Sequence, residues 1–167
     1  MNKIVSQLRA FVNERGINYL CRTEQNDIVN IALLCLQNNL QNCTRITAST
    51  HAADYLKLQF NQADREIFGV IFLDNRNHFL SFEKLFYGTI NAASVHPRIV
   101  VKRALELNAA AVILAHNHLS GEVTPSDADK ATTTSIVKVL EVIDVKTLDH
   151  IIVDHGKSLS FAEHGLL

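Results

Sequence analysis

His116 and His118 stand two residues apart at the end of the apolar run Asn108 to Ala115, and Ser126 and Asp129 follow across a loop that holds Gly121 and Pro125. If the run is a buried strand, residues two apart point to one face, and both imidazoles reach the same ion. Beyond Ser126 the apolar residues Ile136, Val137, Val139, Leu140 and Ile143 recur at helical spacing, which puts Asp129 in the first turn of a helix. Two imidazoles and a carboxylate are ligands that zinc accepts, and three ligands leave the fourth tetrahedral position open, as in catalytic sites. Zinc bound in this way lowers the pKa of water from ~15.7 to ~7, so a nucleophile against a carbonyl is available at neutral pH. A carboxylate must then move the protons, and it need not be near in sequence.

The spacing carries more weight than the residue types. With 8 His in 167 residues, chance gives roughly 0.4 His-x-His pairs, whereas adding a Ser and an Asp at fixed offsets brings the expectation to about one in a thousand. Ser126 and Asp129 also have a structural role open to them, because Ser at an N-cap with an acidic residue three positions on is close to a capping box. Both roles can coexist, since an Asp at the third helical position can hold a metal while facing the positive end of the helix.

The stretch HNHLSGEVTPSDAD resembles the JAMM motif of JAB/MPN metalloprotease-like domains, and within them the RadC branch, whose form is HNHPSG followed by PS and a later Asp. LFYGTINAASVHPRIVVKRALELNAAAVILAHNH upstream and LDHIIVDHGKSLSFAEHGLL downstream are similar to the same branch, so the resemblance covers about residues 48–167. It implies that His116, His118 and Asp129 are zinc ligands and that Ser126 steadies the oxyanion of a tetrahedral intermediate. It also implies a general base on an earlier strand. Glu66 stands where that Glu is expected and Glu83 is the alternative; an exposed strand-end carboxylate is the plain reading of either. Leu119 departs from the Pro of the branch, which frees one φ and adds a backbone donor without removing a ligand. Asn117 follows the RadC form and not the Ser or Thr of the eukaryotic deubiquitinase branch, so substrate choice does not carry over from there.

Composition bounds the remainder. At 47% hydrophobic and 20% charged, 167 residues suffice for a sizeable core, and a formal charge of −1 leaves no global basic surface for nucleic acid. Cys21, Cys35 and Cys43 form no CxxC pair, which fits a reducing compartment, and Cys35 within an apolar run reads as a core thiol. MNKIVSQLRAF lacks a continuous signal-peptide core, and no apolar run approaches the ~18 residues of a membrane span. The expectation is a cytoplasmic protein with no membrane partner.

Two parts are expected: an N-terminal helical segment, residues 1–47, and a JAB/MPN-like domain, residues 48–167. In the first, Ile4, Val5, Leu8, Phe11 and Val12 make one helical face that Gly16 ends. A second helix runs from near Asn26 or Asp27 to about Leu40, and its run Ile28 to Leu36 is apolar nearly all round, which suits burial or a homo-oligomer interface. RadC-like proteins carry a helix-hairpin-helix ahead of this domain. With Gly16 the sole glycine before Gly69, that module is expected to be absent or altered, which weakens any inference of DNA binding.

In the second part, a helix over Ser49 to Gln59 leads into a strand from Ile67 to Leu73, apolar on both faces and therefore central in a sheet. Asp74 to Asn77 is a turn, His78 to Tyr87 a strand, and Pro97 opens a helix whose Arg98, Lys102 and Arg103 read as a solvated basic face. Thr147 to Val153 forms a strand in which His150 is either a partner of a ligand or, as is more usual, a satisfied core residue. His155 to Ser158 is a turn and Leu159 to Phe161 a last strand, with His155 and His164 at the surface. The expected architecture is α/β with a mixed sheet flanked by helices, and the resemblance adds a cytidine-deaminase-like layout. Deaminase chemistry is excluded, because no ligand His is followed two residues on by Glu and there is no Pro-Cys-x-x-Cys.

Three functions compete. One is a zinc hydrolase of amide or isopeptide bonds acting on a peptide or protein. The second is an accessory protein on nucleic acid, following the DNA-repair association of RadC-like proteins. The third is an interaction module with a purely structural metal.

Overall fold

The computed structural model describes residues 21–42, 49–61, 63–88 and 95–167. Helices α1 (Arg22–Asn42) and α2 (Ser49–Phe60) precede strands β1 (Ile67–Leu73) and β2 (Phe79–Tyr87). Helix α3 (Pro97–Glu106), β3 (Ala111–Asn117), α4 (Asp127–Glu141), β4 (Lys146–Asp154) and β5 (Lys157–Ser160) follow. The helix expected at Ile4 to Val12, its stop at Gly16, and Cys43 lie outside the described residues.

The five strands form one mixed sheet in the order β2-β1-β3-β4-β5. β1 pairs antiparallel with both β2 and β3, β3 runs parallel to β4, and β5 returns antiparallel to β4. The parallel pair needs a crossover, and α4 provides it. All seven residues of β1 and of β3 are buried, as expected of interior strands with helices over both faces.

Alternation along the strands sorts the core into two layers. Ile71, Leu73, Ile113 and Ala115 pack under Leu56 and Phe60 of α2, with Leu33 and Leu36 of α1 against that cluster. Phe72, Val112 and Leu114 pack under Val100 of α3 and Ile136 and Leu140 of α4. Each Leu, Ile, Val or Phe side chain among them that is fully withdrawn from water contributes about 1.5–3 kcal/mol. Gly69 is required by a close approach: a Cβ there would stand 2.8 Å from the Phe82 ring, which packs edge-on to Tyr55 and Phe60.

Several boundaries differ from the sequence reading. α1 begins at Arg22 and not near Asn26, because the Glu24 carboxylate accepts a bond from Cys21 N at 2.9 Å and satisfies the helix start. Cys35 is exposed and not a core thiol, since α1 packs through Leu33 and Leu36. Strand β3 starts at Ala111 and not at Asn108, which has φ +50 and lies in the turn that closes α3. The last hairpin turns on His155 and Gly156 alone, both at positive φ, so Lys157 and Ser158 already pair with Asp154 and Val153. That strand ends at Ser160, one residue before the expected Phe161.

The basic cluster on α3 is largely paired: Arg103 binds Glu83 and Glu106, and Lys102 lies 3.6 Å from Glu106. Among the described residues no helix is long and apolar enough to cross a membrane.

Candidate metal centre

The centre lies where β3 ends. His116 is on β3 and His118 is one residue beyond it, held by a bond from its backbone N to Val153 O at 3.0 Å. The β1–β3 register pairs Phe68 with His116, so Glu66, Phe68, His116 and His118 share one face of the sheet. Asp129 arrives on α4, the helix that packs over this same face. Ser126 is the N-cap of that helix in extended conformation, and a full capping box forms. Ser126 Oγ donates to Asp129 Oδ2 at 2.6 Å, Asp129 N donates to Ser126 Oγ at 3.1 Å, and Ser126 N donates to Asp129 Oδ2 at 2.8 Å. The cap thus aims the carboxylate at the histidines.

Donor groups of three residues converge. His116 Nε2 is 2.9 Å from His118 Nε2 and 3.2 Å from Asp129 Oδ1, and His118 Nε2 is 3.5 Å from Asp129 Oδ2. Tetrahedral zinc with bonds of ~2.0–2.1 Å sets its donors about 3.3 Å apart. The residues therefore fit a zinc-sized ion with shifts of a few tenths of an ångström. Burial disfavours the Asp129 charge, yet the neighbouring His116 and His118 imidazoles and the Ser126 hydroxyl outweigh it and hold the carboxyl well below its ordinary range. It is an anion, as a ligand must be.

The imidazole tautomers suit a metal as well. His118 Nδ1 lies 2.9 Å from Glu122 O; a carbonyl only accepts, so Nδ1 carries the proton and Nε2 offers its lone pair. His116 Nδ1 lies 2.8 Å from His150 Nε2. His150 is fully buried, stacked on Phe161 and edge-on to Phe68, and burial pushes its pKa well below the ordinary imidazole value.

A cleft of about 440 Å³ opens on the donors, with Glu66, His116, His118, Ser126, Asp129 and His150 among its lining. Of the two carboxylates weighed as a base, Glu66 lines this cleft, whereas Glu83 receives Arg103 Nε at 2.7 Å on β2. Glu66 falls immediately before β1 and not within it, and its O accepts from Gly88 N at 2.7 Å. Leu119 is 45% exposed, so the Leu in place of Pro disturbs no core contact.

Three positioning residues were not assigned from the sequence. Asn117, buried at the centre of His-x-His, accepts from Ile67 N at 2.7 Å and donates to Arg65 O at 3.1 Å. It clasps the backbone on both sides of Glu66. Thr133 lies 2.6 Å from His150 Nδ1, and its presence at a core position with Ile136 and Leu140 was the available signal. Asp154 is buried and takes Gly121 N at 2.5 Å, which anchors the loop between His118 and Ser126. His150, read from sequence as more often a core residue, is both buried in the core and the hydrogen-bond partner of His116.

The comparisons with known proteins agree over the same span. The RadC-like JAB domain family matches residues 46–166. The chain is 51% identical over 141 residues to the UPF0758 protein YkfG of Escherichia coli (strain K12), covering 84% of this chain and 89% of that one. It is 49% identical over 137 residues to the UPF0758 protein YfjY of the same organism, covering 81% and 86%. Against the UPF0758 protein Mpe_A2695 of Methylibium petroleiphilum it is 46% identical over 153 residues, covering 92% and 69%. None of these names states an activity. With a matched span that includes the whole sheet and the converging histidines and aspartate, the chain belongs to the RadC-like JAB domain family.

Proposed function

We propose that the chain is a zinc-dependent hydrolase that cleaves an amide or isopeptide bond in a peptide or protein. The observation that carries this reading is the convergence of His116, His118 and Asp129 within 4.8 Å at a cleft that Glu66 also lines. Zinc in that position would supply Lewis acidity toward a carbonyl oxygen and lower the pKa of a water. Glu66, held by the Asn117 clasp, takes the proton from the attacking water and passes it to the leaving nitrogen.

Ser126 faces the cleft, but its O–H donates to Asp129 Oδ2. It donates to an oxyanion by turning that O–H, while Ser126 N–H still supports the carboxylate. An open cleft above three ligands suits catalysis better than a purely structural metal, which is closed by a fourth protein ligand. The nucleic-acid reading has less support, because Lys102 and Arg103 are taken up by Glu83 and Glu106. Cysteine usage fits a reducing compartment, and we assign the protein to the cytoplasm on that basis.

The test is turnover of a peptide and isopeptide library by zinc-loaded protein beside Glu66→Gln. The expected result is cleavage reduced about 10²- to 10⁴-fold in the variant, with zinc retained. Cleavage equal in both proteins would remove Glu66 from the mechanism.

A further inference from the structure

We infer that His150 and Thr133 are positioning residues that fix the tautomer of His116, so that its Nε2 presents a lone pair to the metal; this rests on the zinc reading above. The inference follows from counting protons along one chain of contacts. Thr133 Oγ1 lies 2.6 Å from Asp129 O and 2.6 Å from His150 Nδ1. His150 Nε2 lies 2.8 Å from His116 Nδ1. Asp129 O is a carbonyl and only accepts, whereas the Thr133 hydroxyl has one proton.

That proton therefore goes to Asp129 O, and Thr133 Oγ1 accepts from His150 Nδ1–H. His150 Nε2, left with a lone pair, accepts from His116 Nδ1–H. His116 Nε2 is then bare and points at His118 and Asp129. The opposite direction, Thr133 donating to His150 and His150 to His116, leaves two oxygens 2.6 Å apart with no proton between them. It also puts the His116 proton on Nε2, where it would block a metal.

The chain begins at one proposed ligand and ends on the backbone of another, so α4 sets both the carboxylate of Asp129 and the proton of His116. The Phe161 ring, 4.6 Å from His150 between centroids, and the Phe68 ring, at 5.6 Å, keep the imidazole plane in place. His118 is set more simply, by the Glu122 carbonyl.

Two-bond ¹H–¹⁵N correlation spectra of the ¹⁵N-labelled full chain read each tautomer directly, first after chelation and then with zinc added. Neutral His150 protonated at Nδ1, already present without metal, is the expected result. His150 protonated at Nε2, or at both nitrogens, would overturn the inference. Thr133→Val should flip His150 and weaken zinc binding about 10- to 100-fold, and Thr133→Ser should restore both. An unchanged tautomer and zinc affinity in a folded Thr133→Val would also overturn it. If the wild-type chain takes no zinc, the metal reading fails, while the tautomer in the metal-free spectrum still decides the relay.

Discussion

Ser126 does two things with one hydroxyl: it caps α4 and it faces the cleft. Ser126→Ala removes the acceptor for Asp129 N and should cost about 1 kcal/mol in stability, seen as an earlier urea midpoint with unchanged slope. Zinc should still bind, since Ser126 N–H continues to hold Asp129 Oδ2. Loss of zinc in a folded Ser126→Ala would mean that the hydroxyl, not the backbone, orients the ligand.

His118 adds a pH dependence. Its pKa is raised above 6.5 mainly because Asp129 accepts from Nε2 of its protonated form, against the desolvation that lowers it. A raised folded pKa gives the metal-free chain stability that is present below the unfolded value and lost as pH rises through the folded one. Zinc needs the neutral imidazole. Apparent zinc affinity should therefore fall as pH is lowered through the raised value, with proton release visible in calorimetry across buffers of different ionisation enthalpy. Affinity that stays flat into mildly acidic pH would contradict the His118–Asp129 coupling.

At the scale of elements, the site is a joint between β1, β3 and α4. The backbone ladder of β1 and β3 stops at Phe68 and His116, and the Asn117 amide continues it by side chain to Ile67 and Arg65. Ser is too short to span both bonds. Asn117→Ser should leave the Ile67 N–H unsatisfied at a cost of about 1–3 kcal/mol, and hydrogen exchange at Ile67 should quicken while zinc content is kept. Unchanged exchange at Ile67 would show that the clasp does not hold the Glu66 segment.

For the molecule as a whole, what was legible in the sequence is what is local. His116, His118, Ser126 and Asp129 lie within one stretch of 14 residues, and their offsets state a strand, a loop and a capped helix before any contact is known. β1 was legible because its apolar residues run without a break, as a strand covered on both faces requires. His150 was legible only as one of two readings, because the choice rests on parallel pairing that sets it beside Leu114, within reach of His116. Asn117 was not, because its partners are 50 and 52 residues away and are backbone atoms that carry no sequence signal. Cys35 misled for a related reason: an all-round apolar run does not say which face of α1 meets the sheet.

The central claim is that His116, His118 and Asp129 hold one metal ion with a position left open. The most direct measurement is metal content of the purified chain beside Glu66→Gln and His118→Ala, with X-ray absorption to count and identify the ligands. The account predicts about one zinc per chain, bound by two imidazoles and oxygen, kept in Glu66→Gln and lost in His118→Ala. Equal zinc in His118→Ala, or no zinc in the wild-type chain, would contradict it.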